Sequence, residues 1–480
     1  MTKTVFEKSK EGRKGIKLPN SGIKETNLEK FIPSELLKKE AVILPQLTEF
    51  DVVRHFVNLS KKNYCLDSNF YPLGSCTMKY NPKIEEFCAN LAGFNDIHPE
   101  QDEKDVQGAL ELMFKLGESL KAITGMDAIS LQPAAGAHGE FAGMLIAKMH
   151  FEEKKEKRTK VIIPDSAHGT NPASAKMCGF DVIEVKSGSN GILEPAAVKE
   201  LLDKNTAVIM MTNPNTLGLF EENIKEISDL AHKNGTLMYY DGANLNAIMG
   251  ITSPALMGFD IMHINLHKTF ATPHGGGGPG AGPVLVTKRL EKFLPIPIVK
   301  DNGNNYYLDY DIENSIGKVK AFYGNFSIFV RAYAYILSLG KEGIQSTSKD
   351  AVLNANYLKE KLKILFDLPY DKLCMHEFVL SGENQKQYGI NTLAIAKRIV
   401  DFGIHPPTIY FPLIVHEAIM IEPTETENKE TLDEFVEILK QIEKEIKTKP
   451  EILLNALSKA CSSRVDETIA ARQLNLRWKN

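Results

Sequence analysis

Lys268 lies a few residues past the apolar strand-like run Asp260-Ile-Met-His-Ile264 and leads into a glycine cluster between His274 and Gly282. A lysine is ordinarily a solvated surface charge. In a shielded pocket it loses its proton and attacks carbonyl carbon, and neighbouring glycines let other groups approach the backbone. Asp241 stands about 27 positions earlier, directly after the strand-like run Thr236-Leu-Met-Tyr-Tyr240. Alone it reads as a turn carboxylate. An aspartate and a lysine at two strand ends together suit pyridoxal phosphate. The carboxylate would face the cationic ring nitrogen and the amine would form a Schiff base.

Two further segments fit that chemistry. The small-residue loop Ala135-Gly-Ala-His138 precedes a helix predicted from Phe141 to about Glu156. Amides at a helix N-terminus bind phosphate without a cationic side chain. The loop reads equally as an ordinary strand-to-helix turn. His168 follows the strand Lys160-Val-Ile-Ile-Pro164 and could stack on a planar ring. As a lone loop histidine it could also be structural.

Other motifs are weaker. Gly275, Gly277 and Gly280 satisfy GxGxxG, but Pro279 and Pro283 interrupt the helix that a dinucleotide site needs. No GxxxxGK[ST] occurs. His263 and His267 are four apart with His274 nearby, yet a strand and loop would not give them a shared face, and no HExxH accompanies them. No metal is expected.

The elements that must position these residues alternate. Short apolar runs at 128–131, 160–164, 180–185, 206–211, 236–240 and 260–264 are separated by helical stretches such as 223–234. That pattern predicts an α/β domain with a mainly parallel sheet buried on both faces. Ligands of such sheets bind beyond the carboxyl ends of the strands, where these polar loops lie. After Gly324 the texture shifts to helices (Ser327 to Leu339, then on to Phe366), strand-like runs at 376–380 and 418–421, and a charged helix from Thr431 to about Lys447. The predicted division is an arm over 1–75, a large domain over 76–325, a smaller α+β domain over 326–450 and a tail over 451–480. The segment Asn69 to Pro82 is rich in turn formers, and its aromatics suggest docking.

The 57 basic and 61 acidic residues leave a formal charge of −4, which gives no case for nucleic acid or an anionic membrane. The one tryptophan, Trp478, lies too near the C-terminus to anchor a core. Six cysteines without a CxxC pair read as reduced thiols of a cytoplasmic protein. No run approaches the roughly 20 apolar residues of a membrane helix, and no secretory leader is evident.

The segments Asn265-Leu-His-Lys-Thr-Phe270 and Pro273-His-Gly-Gly-Gly-Gly-Pro-Gly280 resemble the glycine cleavage system P-protein family. So do Gln132-Pro-Ala-Ala-Gly-Ala-His-Gly-Glu140, Asp165-Ser-Ala-His-Gly-Thr-Asn-Pro-Ala173 and Tyr71-Pro-Leu-Gly-Ser-Cys-Thr-Met-Lys79. That family comprises decarboxylating glycine dehydrogenases, pyridoxal 5'-phosphate enzymes of fold type I. The resemblance implies a seven-stranded, mainly parallel sheet domain with a smaller C-terminal α+β domain. It extends over nearly the whole chain but matches only the catalytic half of single-chain members. It thus resembles subunit 2 of the split form, which pairs with a separate subunit 1, two of each chain. By resemblance, Lys268 carries the cofactor, Asp241 faces the pyridinium and His168 stacks on the ring. Ala135, Gly136 and Ala137, with Asn265 and His267, surround the phosphate, and Thr212 lies near the ring or its hydroxyl. Ala135 departs from the serine or other small polar residue of many relatives, and His138 and Asn213-Pro-Asn215 also differ from common variants. The implied reaction decarboxylates glycine and passes the aminomethyl group to the lipoyl arm of the H-protein. Another fold type I decarboxylase or aminotransferase, or an inert scaffold subunit, are the alternatives.

Overall fold

The computed structural model describes residues 3–40, 43–275, 280–461 and 464–476. Gly277 of the glycine motif and Trp478 therefore lie outside the described residues. Two compact units are present, one of residues 1–65 with 460–480 and the other of 66–459.

The first unit is built on the helix Glu49–Ser60. Thr48 and Asp51 close its N-terminus by a reciprocal capping box. His55 is buried on it and bonds Lys8 Nζ at 3.0 Å. Phe50, Val53, Phe56 and Val57 recur at helical spacing and are all exposed, as are Ile16, Leu18, Ile23 and Phe31.

The second unit holds the large sheet. Its strands are β1 (Ala128–Ser130), β2 (Lys160–Pro164), β3 (Asp181–Val185), β4 (Thr206–Met211), β5 (Leu237–Gly242), β6 (Ile261–Ile264) and β7 (Val284–Val286). Their order is β1-β7-β6-β5-β4-β2-β3. Strands β3, β2, β4, β5 and β6 run parallel, and β7 is antiparallel to both its neighbours. Alternate residues of β4 and β5 enter different cores. Ile209, Met211, Met238 and Tyr240 join one, and Val208, Met210, Leu237 and Tyr239 the other. Burial on both faces is why these strands read as continuous apolar runs. The chain passes from β2 outward to β3, then crosses back to β4, so the strand order reverses between β2 and β4. Such a reversal opens a crevice at the carboxyl ends.

The helix Gly136–Glu153 lies on the Tyr239 face, closer than side chains would permit. A Cβ on Gly139 would stand 2.7 Å from the His263 Cβ, and one on Gly143 would stand 2.4 Å from the Tyr239 ring. This helix starts five residues before the predicted Phe141, because its first turn is Gly-Ala-His-Gly and carries no apolar periodicity.

Downstream, β8 (Ile298–Asp301) and β9 (Tyr306–Asp309) form a hairpin. The predicted helix at Ser327 and the helical stretch after it are one run, Phe326–Leu362, broken at Gly340, whose φ is 62°. A small antiparallel sheet follows, with β12 (Ala418–Ile421) between β10 (Phe378–Ser381) and β11 (Thr408–Ile409). The helices Thr392–Asp401 and Lys429–Thr448 pack with it around Phe378, Leu380, Ile395, Phe435 and Leu439. The turn-rich segment after Asn69 docks within its own unit. Phe70 packs edge-on against Phe435, Tyr71 stacks on His405 at 3.7 Å, and Leu73 bridges to Ile421. Among the described residues no helix is long and apolar enough to cross a membrane.

Candidate active site

A cavity of about 230 Å³ opens at the carboxyl ends of the large sheet. All nine residues singled out from the sequence line it: Ala135, Gly136, Ala137, His168, Thr212, Asp241, Asn265, His267 and Lys268. They arrive on the segments that follow β1, β2, β4 and β6, and on the end of β5 itself. Asp241 lies within β5 rather than after it, and Lys268 sits on a one-turn helix, Leu266–Thr269.

At one end lies the N-terminus of the helix Gly136–Glu153. Ala135 caps it in extended conformation with no side-chain hydrogen bond, so its first amides stay open. A Cβ on Gly136 would stand 2.4 Å from Asn265 Oδ1, so only glycine lets Asn265 reach this turn. Asn265 Oδ1 and His267 Nδ1 are buried without a hydrogen-bond partner in the protein. Burial, reinforced by His274 and Lys268, pulls His267 down to about 3, so its ring is neutral. Open amides, small residues and unpaired polar atoms fit a phosphate.

At another end lies Asp241. Its Oδ2 accepts from Asn171 Nδ2 at 2.9 Å, and its Oδ1 accepts from the Ala243 amide at 3.0 Å. His263 faces it across the β5–β6 register, with Nε2 at 3.3 Å from Oδ1. An ionised carboxylate only accepts, so the ring proton belongs on Nε2, and Nδ1 then accepts from Tyr239 Oη at 2.8 Å. Burial would raise Asp241, but His263, the Asn171 amide, Lys268 and the Ala243 amide outweigh it, and the carboxyl stays below its ordinary range. A buried carboxylate held ionised fits a cationic ring nitrogen. Glu140 lies close by and behaves in the opposite way. Burial and the Asp241 charge push it up to about 7, against hydrogen bonds from Thr170 and Ser174.

His168 accepts from the Thr170 amide at 3.2 Å through Nδ1, which leaves Nε2 to carry the ring proton. Burial and the Lys268 charge lower its pKa. The Thr212 hydroxyl donates to Pro214 O at 3.3 Å. The histidines of the 263–274 segment diverge. His263 serves Asp241, whereas His267 lines the cavity and meets His274 edge-on at 5.3 Å.

Sequence reasoning left several participants unassigned. Ser75, Glu140, Thr170, Thr216, Ala243 and Asn244 also line the cavity. Behind Ser75 lie Glu377 and Glu422, both fully buried, with His376 beside them. Lys79 is fully buried too. Its Nζ meets Glu425 at 2.7 Å, Asn246 Oδ1 at 2.5 Å and the Thr269 carbonyl at 3.2 Å, next to Lys268. Ser75 and Lys79 stood in a segment quoted for its turn formers. Charged residues placed within otherwise apolar or turn-rich runs were the available signal.

Residues 347–459 match the family described as glycine dehydrogenase, C-terminal domain, and residues 138–296 match the class-V aminotransferases. The chain is 58% identical over 475 residues to the probable glycine dehydrogenase (decarboxylating) subunit 2 of Caldanaerobacter subterraneus subsp. tengcongensis, covering 99% of this chain and 98% of that one. It is 58% identical over 477 residues to the protein of the same description from Kosmotoga olearia, covering 99% of each. Among solved structures, the crystal structure of an inhibitor-bound glycine decarboxylase (P-protein) of the glycine cleavage system shares the fold. Its TM-score is 0.74 at 19% identity, over 86% of this chain and 94% of that one. A glutamate decarboxylase from Lactobacillus brevis shares the fold at a TM-score of 0.64 and 13% identity.

Proposed function

The chain belongs to the family of glycine dehydrogenase (decarboxylating) subunit 2, and from that premise we propose that the cavity around Lys268 decarboxylates glycine and passes its aminomethyl group to the lipoyl arm of the H-protein. The observation that carries this reading is the convergence of nine residues from five separate segments on one cavity, with Lys268 and Asp241 both in its wall.

Pyridoxal 5'-phosphate, when bound, supplies the conjugated ring that takes up the electron pair left behind by carbon dioxide. The chain's own residues do the rest. The helix N-terminus at Ala135–Ala137 holds the phosphate, with Asn265 and His267 beside it. Ala135 brings no hydroxyl, so backbone amides bear more of that task. Asp241 holds a proton on the ring nitrogen, and the His263–Tyr239 chain holds Asp241. His168 and Thr212 line the cavity where the ring would sit. Lys268 would provide the amine that anchors the cofactor. Glu140, raised to about 7, is partly protonated at neutral pH and so adds less negative charge beside Asp241 than an ordinary carboxylate would.

Partnership is supported by the first unit, whose helix Glu49–Ser60 turns an apolar stripe outward. An exposed stripe of this kind marks a protein interface. The occupant proposed is subunit 1, two of each chain in the assembly, with the lipoylated H-protein as the transient partner.

Borohydride reduction of the assembled enzyme followed by peptide mapping tests the site, and the reduced cofactor is expected on Lys268. Label on any other lysine sinks the assignment. Sedimentation of the co-expressed chains tests the partnership. Equal amounts in one heteromer are expected, and full glycine–bicarbonate exchange by this chain alone would defeat it.

A further inference from the structure

The cavity's own lining poses a problem. The substrate of the proposed reaction carries a carboxylate, yet among the described residues of this chain the lining holds no arginine, and its one lysine is Lys268, the residue proposed to carry the cofactor. A cationic clamp would in any case be misplaced. It would stabilise the carboxylate of the ground state and lose that interaction as carbon dioxide leaves. The carboxylate is therefore expected to meet neutral donors.

Four hydroxyls line the cavity, and three spend their protons on the protein. Thr170 donates to Glu140 at 2.9 Å, Thr212 to Pro214 O at 3.3 Å, and Thr216 to Ser166 O. Among the described residues, the Ser75 hydroxyl has no such bond. The Ser75 backbone, in contrast, is held firmly. Ser75 and Thr77 have φ of 67° and 42°, a left-handed conformation that non-glycine residues seldom adopt. Glu377 Oε2 accepts from the Ser75 amide at 2.7 Å, and Glu422 Oε2 accepts from the Thr77 amide at 2.9 Å. Both carboxyls are fully buried and come from the small sheet, one just before β10 and one just after β12. Gly74, one residue before, fits against Met420 so closely that a Cβ would stand 2.3 Å from its side chain. Two buried carboxyls hold this turn, Glu377 also accepting from Asn244 Nδ2 at 3.5 Å, which indicates that the position of the turn matters.

We infer that Ser75 receives the substrate's carboxylate through its hydroxyl, and that Glu377 and Glu422 are positioning residues that hold the Ser75–Thr77 turn against the cavity for this purpose. The inference rests on the reading of the site as a glycine decarboxylase. It names the contact that tells glycine from an amine of the same size without a carboxylate.

The test uses the assembled, cofactor-loaded enzyme and follows the visible absorbance of the cofactor during titration with glycine and, separately, with methylamine. In Ser75→Ala the apparent Kd for glycine is expected to rise about tenfold or more, the worth of one hydrogen bond to a charged group. That for methylamine should change less than twofold, which also reports an intact site. Glu377→Ala removes the acceptor of the Ser75 amide and should reproduce part of the glycine-selective loss. The double variant should bind glycine no more weakly than Ser75→Ala alone, since Glu377 acts through Ser75. Equal weakening of both ligands in Ser75→Ala, or unchanged glycine affinity, overturns the inference. Additive losses in the double variant overturn the role of Glu377. A parent enzyme whose spectrum ignores glycine defeats the underlying decarboxylase reading, and this one with it.

Discussion

Replacing Lys79 with methionine should destabilise the segment that carries Lys268, by an amount the structure lets one work out. The side chain of Lys79 has no exposed surface and that of its partner Glu425 has 6%. Methionine fills much the same volume, so the packing term is small. What changes is that Glu425 loses its cation while still buried, keeping only the Tyr335 hydroxyl at 3.2 Å. Breaking a buried ion pair from one side costs about 3–5 kcal/mol. Asn246 Oδ1 and the Thr269 carbonyl each lose a charged donor as well. Glu425→Gln alone should cost less, because Lys79 keeps Asn246 and Thr269. Adding Glu425→Gln to Lys79→Met removes the stranded charge and should restore about 1.5 kcal/mol or more, so the two changes are strongly non-additive. Burial depresses Lys79, but Glu425 and Tyr335 outweigh it and raise the group above its ordinary value. The stabilisation from this pair is thus fully present below the unfolded lysine pKa of about 10.4 and is lost as pH rises through the folded value. Urea denaturation of the four proteins, with midpoints compared at constant m, measures the cycle. Amide exchange at 266–272 reports the local effect. A cycle that closes additively, or Lys79→Met with an unchanged midpoint, would refute the view that this pair braces the Lys268 turn.

Two further changes probe the ends of the cavity. Asp241→Asn should retain the fold and the cofactor yet slow exchange of the glycine carboxyl carbon with bicarbonate by about a hundredfold or more; exchange at the parent rate would reduce Asp241 to a turn residue. Gly136→Ala gains about 1 kcal/mol of helix propensity but drives a methyl into Asn265, so fluorescence titration should show pyridoxal phosphate bound about tenfold more weakly, and unaltered affinity would show that Asn265 does not serve the phosphate.

The site was legible to different depths. Parallel strands buried on both faces announce themselves as short apolar runs, and whatever follows such a run lies at the ligand-binding edge. Thr212 follows only from the family resemblance, whereas that logic points to His168, Asp241 and Lys268 from the sequence. It gave no hint of Ser75, Glu377 or Glu422. These meet only because a turn far upstream docks on the small sheet, and their separation of about 300 residues between Ser75 and Glu377 has no periodic signature. The antiparallel pairing of β7 with β1 and β6 was also hidden, since three-residue strands carry too little pattern to show direction. His263 was first weighed as a metal ligand from its spacing. Its register opposite Asp241 is a property of the β5–β6 ladder, which no single-strand pattern contains.

The glycine seam of the helix Gly136–Glu153 ties the two ends of the cavity into one mechanism of tolerances. Gly136 sets how near the phosphate-side turn comes to Asn265, and Gly139 and Gly143 set how near the same rigid helix comes to His263 and Tyr239. Any added carbon along this seam lifts the helix from the sheet as a lever. It would widen the anion cradle and loosen the Tyr239–His263–Asp241 chain in the same movement. Drift that weakens cofactor affinity should therefore surface together with an altered protonation of the ring. Repair at one end alone would leave the other out of register, so substitutions that restore this enzyme are expected in pairs that bridge helix and sheet.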